Sequence, residues 1–275
     1  MRTPVRYIRW KGQNFGDDLN DTLFQDVFGV NEWTENVNAI SDGVNLLGIG
    51  TLLNGNLNLS DPASLWIIGS GAGNNLGMPR FSSNTNLFFV RGPLTCQYLN
   101  LPSDRAMGDA AYLLADKFLA VASKSVVQPR RVGIIPHHWS IESNYPRWQQ
   151  ILQHPSIISP QLEWTAFVEQ VNACEVILTE CLHGAILADI LHKPFIVFAT
   201  TPAFHTFKWL DWASSRNLQL KINAFDFDDP ESLARTEMPI LSKQETLNTV
   251  LEKLEPAKVE IRRQLEIIAA KGADR

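Results

Sequence analysis

The chain has 275 residues, of which 45% are hydrophobic and 19% are charged, a balance typical of a globular protein with a sizeable core. Its net charge of -5 argues against binding nucleic acid through bulk positive charge. Its three cysteines, Cys96, Cys174 and Cys181, lack metal-ligand or disulfide-framework spacing, and no apolar run is long enough to span a membrane. We therefore predict a soluble cytoplasmic protein that binds neither a metal nor nucleic acid.

The first half of the chain alternates short strand-like runs with helical patterns. Glycines or polar residues follow each run, where a buried strand should end. This alternation predicts an α/β fold with a parallel sheet, in which ligands lie beyond the carboxyl ends of the strands. The predicted strands of this half are residues 5–10, 45–50, 65–68 and 86–90.

Two carboxylates, Asp17 and Asp18, open a helix after the first predicted strand. They can cap the helix and interact with its dipole, which is worth about 1 kcal/mol. They can equally be displayed above the sheet for chemistry, and both interpretations stay open for Asp18. A functional role is favoured for Asp17, because the flexible Gly12 and Gly16 precede it.

A glycine cluster at residues 69–73 follows the strand 65–68 and contains Ser70 and Gly71. Backbone N–H groups in such a turn can bind an anion. The cluster lacks the full spacing of the dinucleotide and P-loop fingerprints, so a plain tight turn is nearly as well supported.

Two charged residues follow later strands of this half. Arg91 comes directly after the strand 86–90 and can bind a carboxylate or phosphate through both arms of its guanidinium. An ordinary ion pair is an equal alternative for it. Asp109 follows Gly108 just before a short helix and is a candidate for substrate contact.

A polar stretch at residues 120–131, which contains Pro129, predicts a linker between two domains. The N-terminal domain would cover residues 1–125 and the C-terminal domain residues 126–275. Each should be a Rossmann-like, doubly wound unit.

The second half repeats the strand–helix series. Its predicted strands are residues 132–135, 176–178, 195–198 and 218–222. A helix predicted at 206–217 should pack its tryptophans inward. We expect a long C-terminal helix at 243–270, broken at Pro256, to pack back on the first domain.

His137 and His138 follow the strand 132–135. Adjacent histidines can bind a metal, but successive side chains point in different directions and no cysteine or carboxylate spacing supports such a site. Anion contact or hydrogen bonding to substrate is the favoured role.

His183 lies just beyond the strand 176–178, at the start of a helix. A lone histidine at a strand end is more often a structural group than a catalyst. This one precedes Gly184, which lets another group approach closely, and lies within a turn of Glu180. Because histidine suits proton transfer near neutral pH, a catalytic role is the sharper hypothesis and a structural role the alternative.

Seven short motifs occur in order along the chain. They are Asn14-Phe15-Gly16-Asp17-Asp18, Gly48-Ile49-Gly50-Thr51, Gly69-Ser70-Gly71, Arg91-Gly92-Pro93-Leu94-Thr95, Gly108-Asp109-Ala110, Ile135-Pro136-His137 and Glu180-Cys181-Leu182-His183-Gly184. Each is weak alone, but the ordered set resembles the polysaccharide pyruvyl transferase family, including the type found in bacterial exopolysaccharide biosynthesis. The resemblance extends from Tyr7 to about Phe198.

The resemblance implies two Rossmann-like domains facing a cleft, similar to B-type glycosyltransferases. It implies phosphoenolpyruvate as the donor, no cofactor, and a pair of sugar hydroxyls as the acceptor, giving a pyruvate ketal. The acceptor would be an oligosaccharide, a polysaccharide or a lipid-linked saccharide precursor, and the last would bring the protein to a membrane surface peripherally.

The implied chemistry assigns roles to the candidate residues. His183 would be the general acid, Asp17 the base and Arg91 the clamp on the donor. The remaining candidates for substrate contact are Gly16, Ser70, Gly71, Asp109, His137, His138 and Glu180. Several family members carry an arginine where this chain has Cys181, so we expect the missing donor contact to come from elsewhere, with His137 or His138 as candidates.

Two alternatives stay open on the same fold. One is a glycosyltransferase that uses a nucleotide sugar, although no base-and-ribose pocket is identifiable in the sequence. The other is a carbohydrate-binding or scaffold protein that descends from such an enzyme. This alternative stays open because position 181 holds cysteine in place of the family's arginine.

Overall fold

The computed structural model describes residues 3–10, 12, 14–35, 43–59, 64–73, 77–142, 146–201 and 204–273. The first predicted domain begins, and the second ends, outside these residues. Within them, no helix is both long and apolar enough to cross a membrane.

The described strands form two separate parallel sheets, one in each half of the chain. The first sheet contains β1 Val5–Ile8, β2 Glu32–Thr34, β3 Val44–Leu47, β4 Ser64–Ile68 and β5 Thr85–Phe89, in the order β2-β1-β3-β4-β5. The second contains β6 Arg130–Ile135, β7 Cys174–Thr179, β8 Phe195–Ala199 and β9 Ile222–Ala224, in the order β6-β7-β8-β9. The predicted α/β class with parallel sheets is confirmed.

Helices connect the strands and cover the sheets. The α-helices are α1 Phe15–Asp21, α2 Pro93–Leu99, α3 Ala115–Ala122, α4 His138–Glu142, α5 Pro146–Ile151, α6 Trp164–Asn172, α7 Leu182–Ile190, α8 Thr206–Ser215, α9 Ser232–Thr236 and α10 Gln244–Ala273. A π-helical segment, Thr22–Val27, continues α1. Short 3₁₀ helices lie at Ser103–Arg105 and Ala110–Leu114.

The strand order of the first sheet creates a crevice. From β1 the chain first moves to one side, to β2, and then returns to the other side through β3. The connections that follow β1 and β3 therefore leave the sheet in opposite directions, and ligands of such sheets bind at this switch point beyond the carboxyl ends. The first turn of α1, which carries the candidate Asp17, follows β1 and lies at this point.

The two halves share one hydrophobic cluster, which contains buried side chains from both sheets and their helices. Phe15 of α1 stacks on Phe167 of α6 with ring centroids 4.1 Å apart. The backbone N–H of Phe15 also donates to the Pro160 carbonyl at 2.7 Å. These contacts bring the start of α1 against the second half of the chain.

Two buried ion pairs also join the parts of the molecule. Arg91, just after β5, pairs with Asp211 of α8 at 3.1 Å. Arg216, just after α8, pairs with Asp189 of α7 at 2.7 Å, and Tyr112 of the first half donates to the same Asp189 at 2.6 Å. The carboxyl ends of the two sheets consequently meet along a seam.

The predicted linker is shorter in the structure than in the sequence interpretation. Helix α3 continues to Ala122 and β6 already begins at Arg130, so residues 123–129 connect them. The predicted boundary between residues 125 and 126 falls inside this connection and stays a prediction. The last strand is also displaced, since β9 covers Ile222–Ala224 rather than 218–222.

The predicted break at Pro256 is wrong, because α10 runs through this residue without interruption. A proline inside a helix costs about 3 kcal/mol through a lost hydrogen bond and a steric clash. Burial of one face of α10 offsets that cost, with Leu254 and Ile261 enclosed on either side of the proline. The helix packs on Ala110–Leu114, and Arg262 donates from Nε to the Val27 carbonyl at 3.0 Å.

Candidate active site

The candidate acid, His183, lies at the seam between the two sheets. It is the second residue of α7, directly beyond the turn that follows β7. Its imidazole lies against the backbone of Gly16, since a Cβ built on that glycine would fall 2.0 Å from His183 Nδ1. A residue with any side chain at position 16 would displace the ring. The fold thus brings together two predicted site residues that are far apart in sequence.

A buried carboxylate faces the other ring nitrogen of His183. Asp109 Oδ1 lies 3.8 Å from His183 Nε2, and Asp109 is fully buried whereas the histidine side chain is 12% exposed. The Ala111 N–H donates to Asp109 Oδ1 at 3.0 Å, as a cap of the short 3₁₀ helix. Among the described residues, neither Asp109 Oδ2 nor His183 Nε2 has a hydrogen-bond partner. This arrangement becomes an ion pair when the imidazole is protonated.

Asp17 is held at the start of α1 by the capping residue Asn14. The Asp17 N–H donates to Asn14 Oδ1 at 3.2 Å, and Asn14 Nδ2 donates to Asp17 Oδ2 at 2.5 Å. The carboxylate is partly exposed and follows Gly16, the residue against which the His183 ring packs. It is therefore both oriented and accessible at the seam.

The neighbouring carboxylate, Asp18, has a different environment. It forms an ion pair with Arg9 at 3.5 Å, and its pKa is raised chiefly by burial. The structure thus gives Asp18 a partner within the protein, while Asp17 follows the glycine against which the His183 ring packs.

Glu180 does not reach toward His183 as its position within one turn suggested. Its carboxylate accepts hydrogen bonds at Oε1 from the Thr200 N–H and hydroxyl, both at 2.7 Å. At Oε2 it accepts from the His137 N–H at 3.2 Å and the Ser140 hydroxyl at 2.7 Å. With four donors and almost full burial, this carboxylate ties together the loops that follow β6, β7 and β8. The geometry gives Glu180 a structural role, and its substrate contact stays a prediction.

Arg91 is fully buried, which differs from the exposed clamp expected of a donor-binding arginine. Besides its ion pair with Asp211, it donates to Thr51 Oγ1 at 3.1 Å and to the Ala72 carbonyl at 3.2 Å. All three guanidinium nitrogens therefore have partners in the protein. This geometry matches the ordinary ion pair that the sequence left open, and the clamp stays a prediction.

The glycine cluster after β4 makes room for that arginine. A Cβ on Gly71 would fall 2.2 Å from the Arg91 guanidinium carbon. Ser70 is buried, and its hydroxyl donates to the Gly50 carbonyl at 3.1 Å, which joins the loops after β3 and β4. Close packing explains the cluster in this structure, in place of the anion contact predicted for Ser70 and Gly71.

His137 cannot serve as a charged contact for the donor. Burial, followed by the nearby Lys208, lowers its pKa to about 2, so the imidazole is neutral near physiological pH. Its Nδ1 accepts from the Trp139 N–H at 3.3 Å, and its Nε2 lies 3.5 Å from Lys208 Nζ. The His138 ring lies beside it at 4.4 Å between centroids. Substrate contact by either histidine stays a prediction, with His137 limited to neutral hydrogen bonding.

Lys208 is a cation at the seam that sequence interpretation missed. It lies in the first turn of α8, a helix that the sequence interpretation considered only for its packed tryptophans. The available signal was its position, since α8 follows the carboxyl end of β8, at the same edge as His183. In the described part of the chain, no group of three or more His, Cys, Asp or Glu side chains is arranged to hold a metal ion.

The chain is similar to a known protein family and to two known proteins. A family model described as polysaccharide pyruvyl transferase matches residues 65–202. The succinoglycan biosynthesis protein ExoV of Rhizobium meliloti (strain 1021) is 30% identical over 213 residues, which cover 75% of this chain. The chain spans 63% of the length of that relative. A structure of the wall teichoic acid polymerase TagF aligns with a TM-score of 0.42 and 10% identity, covering 99% of this chain and 89% of that one.

Proposed function

Because the chain belongs to the polysaccharide pyruvyl transferase family, we propose that it transfers the pyruvyl group of phosphoenolpyruvate to two hydroxyls of a saccharide. The products are a pyruvate ketal and inorganic phosphate. The acceptor is a polysaccharide of the exopolysaccharide class or its lipid-linked precursor. The observation that carries this proposal is the packing of His183 against Gly16, which brings a proton donor of the second half beside Asp17 and Asp109 of the first.

The reaction needs an acid and a base at one place. His183 protonates the methylene carbon of the donor, which becomes a methyl group and leaves positive character on C2. A sugar hydroxyl then forms a bond to C2 as Asp17 takes its proton. The C2–phosphate bond breaks, the phosphate leaves with the second proton, and the second hydroxyl completes the ketal. Of the two hydroxyl protons, one leaves with the phosphate. The other restores to His183 the proton that it gave to the methylene carbon.

Asp109 supports the acid in this scheme. Its buried carboxylate lies 3.8 Å from His183 Nε2, so the two side chains form an ion pair when the imidazole carries the proton that it donates. The Ala111 N–H fixes that carboxylate in turn. Asp109 is therefore a positioning residue that acts through His183, and it replaces the direct substrate contact expected from the sequence.

The first experiment measures transfer by the wild-type protein and by a His183→Gln variant. Phosphoenolpyruvate and candidate free or lipid-linked oligosaccharides are incubated with each protein, and the ketal is detected by mass together with phosphate release. Loss of a general acid typically lowers turnover about 10²–10⁴-fold. We expect that loss in the variant, with phosphoenolpyruvate affinity changed far less than turnover.

A matched control is His192→Gln, which makes the same substitution at the exposed far end of α7. It should retain wild-type turnover. Near-normal turnover of a folded His183→Gln protein would remove the catalytic assignment. A ligand that binds the native state raises the melting temperature of the protein. If nucleotide sugars raise the melting temperature of the wild type and phosphoenolpyruvate does not, the result would favour a glycosyltransferase.

A further inference from the structure

The lysine at the seam, Lys208, has no anionic partner in the described protein. Its Nζ lies 3.5 Å from the neutral His137 Nε2, and no carboxylate of the described residues lies within ion-pair distance. The two buried arginines differ in this respect, because Arg91 pairs with Asp211 and Arg216 pairs with Asp189. A partly buried ammonium without a counter-ion is costly, so a protein gains from holding one mainly where an anion arrives.

The position of Lys208 on its helix is also unfavourable for the protein alone. It lies in the first turn of α8, where the helix dipole is positive and a cation is destabilised. An anion bound there would meet both the ammonium and the positive end of the helix. Burial lowers the pKa of this lysine, as does Arg91, while Cys181, Asp17 and Glu180 act in the opposite sense. An arriving anion would favour the charged form.

These neighbours also place Lys208 at the reacting groups. It lies close enough to interact electrostatically with Asp17 of the first half and with Cys181 of the second, the residue that caps the helix carrying His183. A molecule bound by Lys208 would therefore lie beside His137, at the carboxyl edge of the second sheet where α7 begins and carries His183.

We propose that Lys208 binds the anionic donor of the reaction, through its phosphate or its carboxylate, at the carboxyl edge of the second sheet where α7 carries His183. This inference rests on the proposed function for the identity of the donor. The anion contact itself rests only on the unpaired ammonium and its position at the seam.

The test measures binding by calorimetry with three probes: phosphoenolpyruvate, inorganic phosphate and pyruvate. Lys208→Met keeps the length of the side chain and removes its charge, and we expect phosphoenolpyruvate to bind at least about tenfold more weakly. Lys208→Arg keeps the charge and should retain part of the affinity. Whichever of phosphate and pyruvate loses affinity in Lys208→Met identifies the group that the ammonium contacts.

Lys221→Met is the matched control. Lys221 lies just before β9, at the amino ends of the strands of the second sheet, whereas Lys208 lies beyond their carboxyl ends. It should bind all three probes as the wild type does. Removal of an unpaired charge should leave the melting temperature of ligand-free Lys208→Met at or above that of the wild type. If that variant does not fold, Lys208→Gln supplies a second neutral side chain for the same comparison.

The outcomes separate this inference from the proposed function. Loss of anion binding in the neutral variants, together with a wild-type protein that forms no ketal, would support the lysine contact and remove the proposed reaction. Ketal formation by the wild type, with unchanged binding in the neutral variants, would overturn the lysine contact alone. A wild-type protein that binds none of the three probes would also overturn it.

Discussion

His137 is a histidine that the fold keeps neutral. It follows β6, is partly buried and has Lys208 close to its Nε2. Burial is the largest cause of its lowered pKa, which is about 2 against an ordinary value of 6.5. Protonation of this side chain therefore opposes folding.

The sign of the resulting pH dependence follows from linkage. Between pH 6.5 and about 2 the unfolded chain holds a proton at His137 that the folded protein does not hold. The free energy of unfolding should therefore fall as pH falls through this range, by up to about 1.4 kcal/mol per pH unit. In His137→Gln that contribution should be absent, and urea denaturation at pH 7, 6 and 5 measures the difference. If the free energy of unfolding falls equally with pH in both proteins, the conclusion that the His137 imidazole is neutral in the folded state would be contradicted.

Single residues show what a sequence leaves undetermined. The position of His183 beyond a buried strand could be predicted, because strand and helix patterns are local. Lys208 could not be singled out, because only the folded chain shows that no carboxylate of the described residues lies within ion-pair distance of its ammonium. The partner of Arg91 lies 120 residues away in sequence, so an ion pair and a donor clamp were equal alternatives.

At the scale of elements, the connection between β1 and α1 brings the two halves into contact. Asn14 caps the helix, Phe15 packs into the second half, and Gly16 receives the imidazole of His183. The glycine lies in a buried helical turn, so its missing side chain is needed for the close approach of the ring. The sequence indicated that this glycine was unusual but not which group approaches it.

A Gly16→Ala substitution tests this packing. Its Cβ would fall 2.0 Å from His183 Nδ1, so the ring must leave its position between Gly16 and Asp109. We expect turnover to fall at least about tenfold, since a displaced catalytic group loses its alignment with the reacting atoms. Gly12→Ala is the control, because its Cβ would meet Trp10 at an ordinary 3.5 Å. Equal turnover in the two alanine variants would show that the ring tolerates the methyl group.

Elements were predicted better than their ends. The strands of both sheets follow from apolar runs bounded by glycine and polar residues, and Pro93 begins α2 as its position favours. The short edge strand β2 was not predicted, because three partly exposed residues carry little pattern. The continuity of α10 through Pro256 depends on burial against the first half, a tertiary effect that local propensity does not contain.

At the scale of the whole molecule, buried charges join the two halves. Asp211 accepts from Arg91 Nε at 3.1 Å, from the Thr95 N–H at 2.9 Å and from the Thr95 hydroxyl at 2.7 Å. All of these residues are buried. Removal of the carboxylate would leave several donors, one of them charged, without partners.

We expect Asp211→Ala to lower the free energy of unfolding by about 3–5 kcal/mol, the usual cost of breaking a buried ion pair. Glu260→Ala, which breaks an exposed pair with Arg263 on α10, should lower the free energy of unfolding far less, because solvent screens exposed pairs. Urea denaturation at neutral pH measures both. A loss in Asp211→Ala as small as that in Glu260→Ala would mean that solvent reaches the Arg91 site.

The same buried charges bear on how substrates arrive. A hinge rotation that separated the halves would break the Arg91–Asp211 ion pair and the hydrogen bond from Tyr112 to Asp189. It would also expose the shared hydrophobic cluster to water. Such a rotation would cost a large free energy. We therefore expect substrates to reach the seam through the loops beyond the strand ends. Small loop motions, on nanosecond to microsecond timescales, then limit access in place of slower domain closure. In the proposed mechanism, His183 and Asp109 already lie together before the donor arrives, so donor binding need supply no energy to assemble them.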